Sequence, residues 1–108
     1  MRDAEEPATA ELSRIRAEID AVDERLIALL ADRFRLTRAI GRLKVDNDIA
    51  SVDPAREKIQ IARIRRLAGA AGLDEDLAET VLRTVIGQVV VDHEDMRRRS
   101  ADDTQDQE

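Results

Sequence analysis

Five residues have the types and spacing for chemistry: Arg16, Arg33, Lys44, Arg56 and His93. Arg33 and Lys44 are eleven residues apart, close to three whole helical turns, so on a helix they share a face. Their Cα atoms would lie about 16 Å apart, within reach of one small ligand for two long side chains. Arg33 also interrupts a row of apolar residues, at a position where an unpaired charge is costly. It is either a buried ion pair or snorkelling side chain, or a guanidinium aimed into a polar cavity that holds an anion. Arg16 and Lys44 are four heptads apart, about 42 Å along one helix. They cannot meet within one chain, but across an antiparallel two-fold pair Arg16 of one copy can meet Lys44 of the other. Arg56 stands beside Glu57 in the first turn after Asp53-Pro54, where a cation opposes the helix dipole. Solvated surface accounts better for Arg14, Arg25, Arg63 and Arg65 than for Arg56. His93 continues the apolar face of Ile86 and Val89. A lone His there is commonly a core residue, yet this face leads toward the cations, where an imidazole can serve as a donor.

What is missing narrows the chemistry. The chain has no Cys and only one His, which excludes disulfides, Cys zinc sites, thiol catalysis and multi-His metal centres. A Ser-His-Asp triad would have to use His93. Asp46, Asp48 and Glu57 have a superficial calcium-loop spacing, but the central Gly and an oxygen side chain at the fifth position are absent, so no metal site is read here. No Gly-rich phosphate loop follows a strand, so no nucleotide cofactor is expected. The remaining set suits binding and electrostatics rather than nucleophile-base catalysis.

These residues need helices to position them. Leu12, Ile15, Ile19, Val22, Leu26, Leu29, Leu36, Ile40 and Leu43 alternate three and four apart, a heptad seam with Arg33 in its one gap. With Thr9 as N-cap, the spacing predicts a helix roughly 50 Å long. A chain of this size folded alone has a radius of gyration of only about 13 Å, so such a seam calls for a partner chain along it. After a loop over Val45–Val52, Asp53 and Pro54 read as N-cap and N1 of a second helix. Its apolar face is Ile59, Ala62, Ile64, Leu67 and Ala68, and Gly69 and Gly72 end it. Asp74 caps a third helix with Leu77, Ala78, Val81, Leu82, Val85, Ile86 and Val89 on one face, out to about Arg99. Val89-Val90-Val91 has strand propensity, but the flanking period favours helix.

Composition agrees with an all-α fold: 39% charged, 43% hydrophobic and 1% aromatic, the single aromatic being Phe34. Aromatic-poor, Ala- and Leu-rich sequence disfavours a sandwich or barrel. The expected organisation is a leader without structure over 1–9, a helical domain over 10–96 and a charged tail without structure over 97–108. Of the net charge of −6, the leader holds −2 and the tail −1, leaving the middle at −3. That argues against a nucleic-acid or polybasic membrane surface. No apolar run approaches the ~20 residues of a membrane span, and the N-terminus lacks a signal-peptide core. A cytoplasmic protein is the expectation.

Together these residues resemble the all-helical chorismate mutases. The resemblance runs from about Leu12 to Met96 and rests on IRAEIDAVDERLIALLADRF, GRLK, DPAREK and AGLDED in that order. It implies a homodimer of three-helix chains with intertwined long helices and two shared sites. It also implies a cofactor-free rearrangement of chorismate, a small dianion, to prephenate on the way to phenylalanine and tyrosine. By the same resemblance Arg16 is donated by the opposite subunit, Arg33 binds a carboxylate, and Lys44 binds the substrate, including its ether oxygen. Asp53, Arg56 and Glu57 form the loop-to-helix cluster, where Glu57 accepts from the substrate hydroxyl and the Asp53 main chain supports that end. Val89 stands where many members carry a small hydroxyl residue, and His93 where many have a Gln or a protonated Glu donating to the ether oxygen. Lys44, His93 and Arg33 are thus the expected catalytic groups. Two relatives on the same fold are alternatives: an isochorismate-pyruvate lyase and an aminodeoxychorismate mutase. So is a non-catalytic helical dimerisation module, against which the charge at Arg33 argues.

Overall fold

The computed structural model describes residues 2–106, with side chains described for 7–103. Three helices follow one another: α1 (Arg2–Asp46), α2 (Pro54–Ala71) and α3 (Glu75–Asp106). The described residues contain no strand, and Val89–Val91 are helical. None of these helices is long and apolar enough to cross a membrane.

α1 and α3 are longer than the sequence reading anticipated. α1 starts at Arg2, ahead of Thr9, and α3 continues past Arg99 to Asp106. Helical backbone therefore covers 2–9 and 97–106, which had been expected to lack structure. Met1 and residues 107–108 lie outside the described residues. Ala and Arg, present in both stretches, are good helix formers, and Arg97 and Arg98 make side-chain bonds in the tail segment.

The chain divides between Arg35 and Leu36 into two units. The first is the N-terminal run of α1. Its polar side is laced by local pairs such as Arg14–Glu18 at 3.0 Å and Asp32–Arg35 at 3.6 Å. Such exposed pairs contribute only a few tenths of a kcal/mol each. Its apolar side is uncovered: Leu12, Ile15, Ile19, Val22, Leu26 and Leu29 are 41–65% exposed.

The second unit holds the end of α1 and the α2–α3 hairpin. α1 stops in a Schellman-type turn: Asp48, at φ 55°, occupies the left-handed position, and Ile49 N–H reaches back to the Lys44 carbonyl at 2.7 Å. An Asp tolerates this backbone because its short polar side chain costs little there. Asp53 then caps α2 by accepting from Arg56 N–H at 3.1 Å, with Pro54 at N1. Gly72, at φ 75°, ends α2 with a second turn of the same kind, Leu73 N–H donating to the Ala68 carbonyl at 2.9 Å. Asp74 caps α3 by accepting from Leu77 N–H at 2.9 Å. The caps at Asp53, Gly72 and Asp74 match the sequence reading.

The apolar stripe of α2 matches it only in part, at Ile64 and Ala68. Ile61 and Ala68 are buried, with Ile64 half-buried between them, whereas Ile59, Ala62 and Leu67 face out. The stripe i, i+3, i+7 from Ile61 meets α3, where Ala78 and Leu82 are buried. Propensity and hydropathy did not separate two adjacent stripes; the position of α3 did. Arg65, read as plain surface, lies on the edge of this contact and ties the helices together. It donates to Asp76 and Glu79, both at 2.9 Å, which raises its pKa. Glu79 also accepts from Arg83 Nε at 2.8 Å. Arg83 foremost, then Arg65, holds the Glu79 carboxyl below its ordinary value of 4.5 against the opposing effect of desolvation.

That shift has a sign. A carboxyl depressed in the folded state stabilises above its unfolded pKa, and the contribution disappears as pH falls through the folded value. Glu79→Gln is therefore expected to lower stability at pH about 7, and the deficit against the wild type to shrink below pH about 4. Urea unfolding of both proteins across this range measures it.

Candidate functional site

The first unit carries Arg16 and Arg33. Arg14 is engaged by Glu11 and Glu18, whereas Arg16, two residues on, is exposed and has no ion pair among the described residues. Arg33 is half-buried. Its Nη1 is buried with no hydrogen-bond partner. Of the sequence alternatives for Arg33, a buried ion pair is absent among the described residues. A buried guanidinium nitrogen without an acceptor carries a desolvation penalty that an anionic ligand would offset.

The second unit carries the other six candidates. Lys44 is half-buried in the last turn of α1, where its charge suits the helix C-terminus. The chain reverses directly after it, and the turn is held from α3: Arg97 donates to the Ile49 carbonyl and pairs with Asp48 at 3.6 Å. This reversal leads into Asp53, Arg56 and Glu57 in the cap and first turn of α2. Asp53 uses its carboxylate on the Arg56 N–H. The Arg56 guanidinium is exposed and has no ion pair among the described residues, despite the unfavourable dipole. Glu57 is half-buried, and its Oε1 faces Arg83 Nη1 at 3.4 Å.

His93 is 2% exposed and pressed onto α1. Its Nε2 lies 2.7 Å from the Thr37 carbonyl, so Nε2 carries the proton and donates. Nδ1 is buried with no partner. The carbonyl bond fits a core histidine; the orphaned Nδ1 does not. In the neutral ring Nδ1 can only accept, and only the imidazolium donates from both nitrogens. Val89, one turn earlier on α3, is half-buried.

Three contributors escaped sequence reasoning: Gly41, Arg83 and Arg97. A Cβ on Gly41 would stand 2.5 Å from His93 Cδ2, 2.8 Å from its Nε2 and 2.9 Å from Met96 Sδ. Gly41 is thus what lets the imidazole approach the α1 backbone. Its signal in the sequence is a helix-interior glycine inside an apolar pattern, which is tolerated at a cost and commonly has a packing reason. Arg83 is legible as the i,i+4 partner of Glu79, but its reach to Glu57, 26 positions away, is not. The groove in this unit, about 570 Å³, is lined by residues including Arg38, Arg42, Asp92, Asp95, Arg99 and Asp103. No candidate residue lines it.

A family model described as chorismate mutase type II matches residues 15–94. The chain is 40% identical over 77 residues to the T-protein of Enterobacter agglomerans, covering 71% of this chain and 21% of that one. It is 32% identical over 75 residues to the chorismate mutase of Methanocaldococcus jannaschii, covering 69% of this chain and 76% of that one. It is also 32% identical over 79 residues to the 4-amino-4-deoxychorismate mutase of Streptomyces venezuelae, covering 73% and 77% respectively. The matched region therefore spans about a fifth of the length of the T-protein and about three quarters of the two mutases.

The contact at Gly41 makes a paired prediction. Gly→Ala in a helix interior ordinarily stabilises by roughly 0.4–1 kcal/mol, and Gly87, whose Cβ would meet nothing within 4 Å, should follow that rule. Gly41→Ala must push His93 and Met96 aside and is expected to cost about 1–3 kcal/mol. Denaturant unfolding of the two variants should move in opposite directions.

Proposed function

Because the chain belongs to the chorismate mutase type II family, we propose that it catalyses the rearrangement of chorismate to prephenate, without a cofactor, in phenylalanine and tyrosine biosynthesis. The single observation that carries this reading is the Arg33 Nη1, buried on an otherwise apolar seam with no acceptor. A dimerisation helix gains nothing from such a charge; a site for a dianion does. The orphaned Nδ1 of His93 supports it from the second unit.

A pericyclic rearrangement needs neither nucleophile nor base. It needs a flexible dianion held in a compact chair-like conformer and stabilisation of the charge that grows on the breaking ether oxygen. Guanidinium forks suit the carboxylates, which assigns Arg33 and Arg56 together with Arg16 of a second copy. Lys44 serves the ether oxygen, and His93 is the second group offered to it, from the Nδ1 side of a ring whose Nε2 stays on Thr37. Glu57 accepts from the ring hydroxyl, and the Asp53 main chain supports that end. Val89 supplies apolar contact only. Positioning and preorganised charge would provide most of the rate.

The working unit in this reading is a homodimer with two shared sites. Uncovered apolar positions on α1 motivate it: Leu36, Ile40 and Leu43 in the second unit are 48–61% exposed, like those of the first. Each such side chain stabilises by about 1.5–3 kcal/mol when buried.

Incubation of the purified protein with chorismate, isochorismate and 4-amino-4-deoxychorismate, with product identification, tests the reading. Prephenate formed from chorismate is the expected result; pyruvate release from isochorismate, or turnover of the amino analogue alone, would replace it with one of the two related activities. Shared sites make a second prediction. Arg16→Ala and Lys44→Ala should each be nearly inactive, while a refolded equimolar mixture should regain about a quarter of wild-type activity, since half the dimers hold one intact site of two. No recovery on mixing would mean that Arg16 and Lys44 do not serve one site from opposite chains. For His93, the Gln variant keeps a side-chain donor and should retain activity, whereas His93→Ala should lose about 10²-fold or more. A folded, fully active His93→Ala variant would leave the residue a packing role only.

A further inference from the structure

We infer that Arg83 is a specificity-determining positioning residue: by pairing with Glu57 it sets the site for a substrate with a hydroxyl, rather than an ammonium, on the ring carbon that Glu57 meets. The inference rests on the proposed function, in which Glu57 accepts from that substituent.

Four contacts carry it. Arg83 Nη1 faces Glu57 Oε1 at 3.4 Å across the α2–α3 contact. Arg83 Nε is held at 2.8 Å by Glu79 Oε2, one helical turn back on α3. Glu79 is itself held through Oε1 by Arg65 at 2.9 Å, and Arg65 by Asp76 at 2.9 Å. The guanidinium thus sits in a chain of alternating charges, Asp76–Arg65–Glu79–Arg83–Glu57, with Nε engaged by Glu79 and Nη1 facing Glu57. Glu79 and Glu57 are the least exposed carboxylates of this chain, at 26% and 33% of their side-chain surface, and Arg83 is about half exposed.

Glu57 is therefore half-used before any substrate arrives. One oxygen faces Arg83, and Oε2 has no hydrogen bond among the described residues. A carboxylate offers several lone-pair sites, so Oε2 can still accept from a donor. What Arg83 changes is the charge that the donor meets. A hydroxyl is neutral and gains a charge-assisted hydrogen bond from a carboxylate whose charge is already balanced. An ammonium at the same carbon would approach a pair of net charge zero, with the Arg83 guanidinium on the far side of the carboxylate repelling it. Discrimination of this kind works through an unfavourable element as much as through a favourable one. Removing Arg83 leaves an uncompensated carboxylate, which suits the ammonium.

The experiment is kcat/KM for chorismate and for 4-amino-4-deoxychorismate, measured on wild type, Arg83→Met and Arg83→Lys. The wild type should prefer chorismate. In Arg83→Met the ratio of the two constants should fall about tenfold, through a loss on chorismate, a gain on the amino compound, or both. Arg83→Lys keeps the charge without the fork and should retain most of the wild-type ratio. A purely structural role for Arg83 would scale both constants together, and the ratio does not depend on the folded fraction. An active wild type whose ratio is unchanged in Arg83→Met overturns the assignment of Arg83 and leaves the proposed function standing. A wild type that turns over neither compound overturns both.

Discussion

The constraint on which the rest depends is that α1 presents more apolar surface than this chain covers. The seam residues of α1 stay roughly half exposed, while among the described residues the buried apolar side chains are Ile61, Ala68, Ala78 and Leu82, all on α2 and α3. A core of that size stabilises weakly, because a short chain buries a small fraction of its surface. The apolar side of α1 therefore sets how the molecule is used. In the proposed homodimer it would supply core and complete sites at once, so the same residues would govern folding and function.

Charge placement follows from that arrangement. On most of α1 the charged residues form short local pairs in water, and these contribute little. Arg33 departs from this pattern because it replaces a seam residue, and burial leaves its Nη1 unmatched. His93 repeats the situation on α3, with one ring nitrogen matched to Thr37 and the other unmatched. Both unmatched atoms belong to residues whose positions correspond to functional ones in the family resemblance. Buried polar groups are nearly always satisfied in folded proteins, so two exceptions at such positions are more informative than any exposed cation.

The α2–α3 hairpin distributes charge differently. Asp76, Arg65, Glu79, Arg83 and Glu57 link in series across the two helices. The series begins at the first turn of α3, where acids suit the helix dipole, and ends at a carboxylate in the first turns of α2. It is both a clasp between helices and a means of orienting Glu57. Arg97 does comparable work at the other end of α3, holding the turn that joins Lys44 to Asp53. In each case an arginine holds a residue, or a turn beside a residue, that is proposed to bind.

The sequence by itself determined what depends on local spacing. The heptad run of α1, the Asp53-Pro54 start, the Gly72 stop and the Asp74 cap are each set by residues within four positions of one another, and all appear as read. Arg33 and His93 stand out in the sequence for a similar reason, a charge and an imidazole on an apolar period, whereas Lys44 is singled out by its three-turn spacing from Arg33 and Glu57 takes its proposed role from the family resemblance. The tertiary structure alone decided which of two adjacent stripes of α2 is buried, because Ile59 and Ile61 are equally apolar and only the position of α3 separates them. It also decided that Gly41 makes room for His93, that Arg65 and Arg83 join a chain ending at Glu57, and that Arg97 holds the turn after Lys44. The pairings among these that join different elements span between 11 and 52 positions, and no periodicity within a helix records what a side chain meets on another.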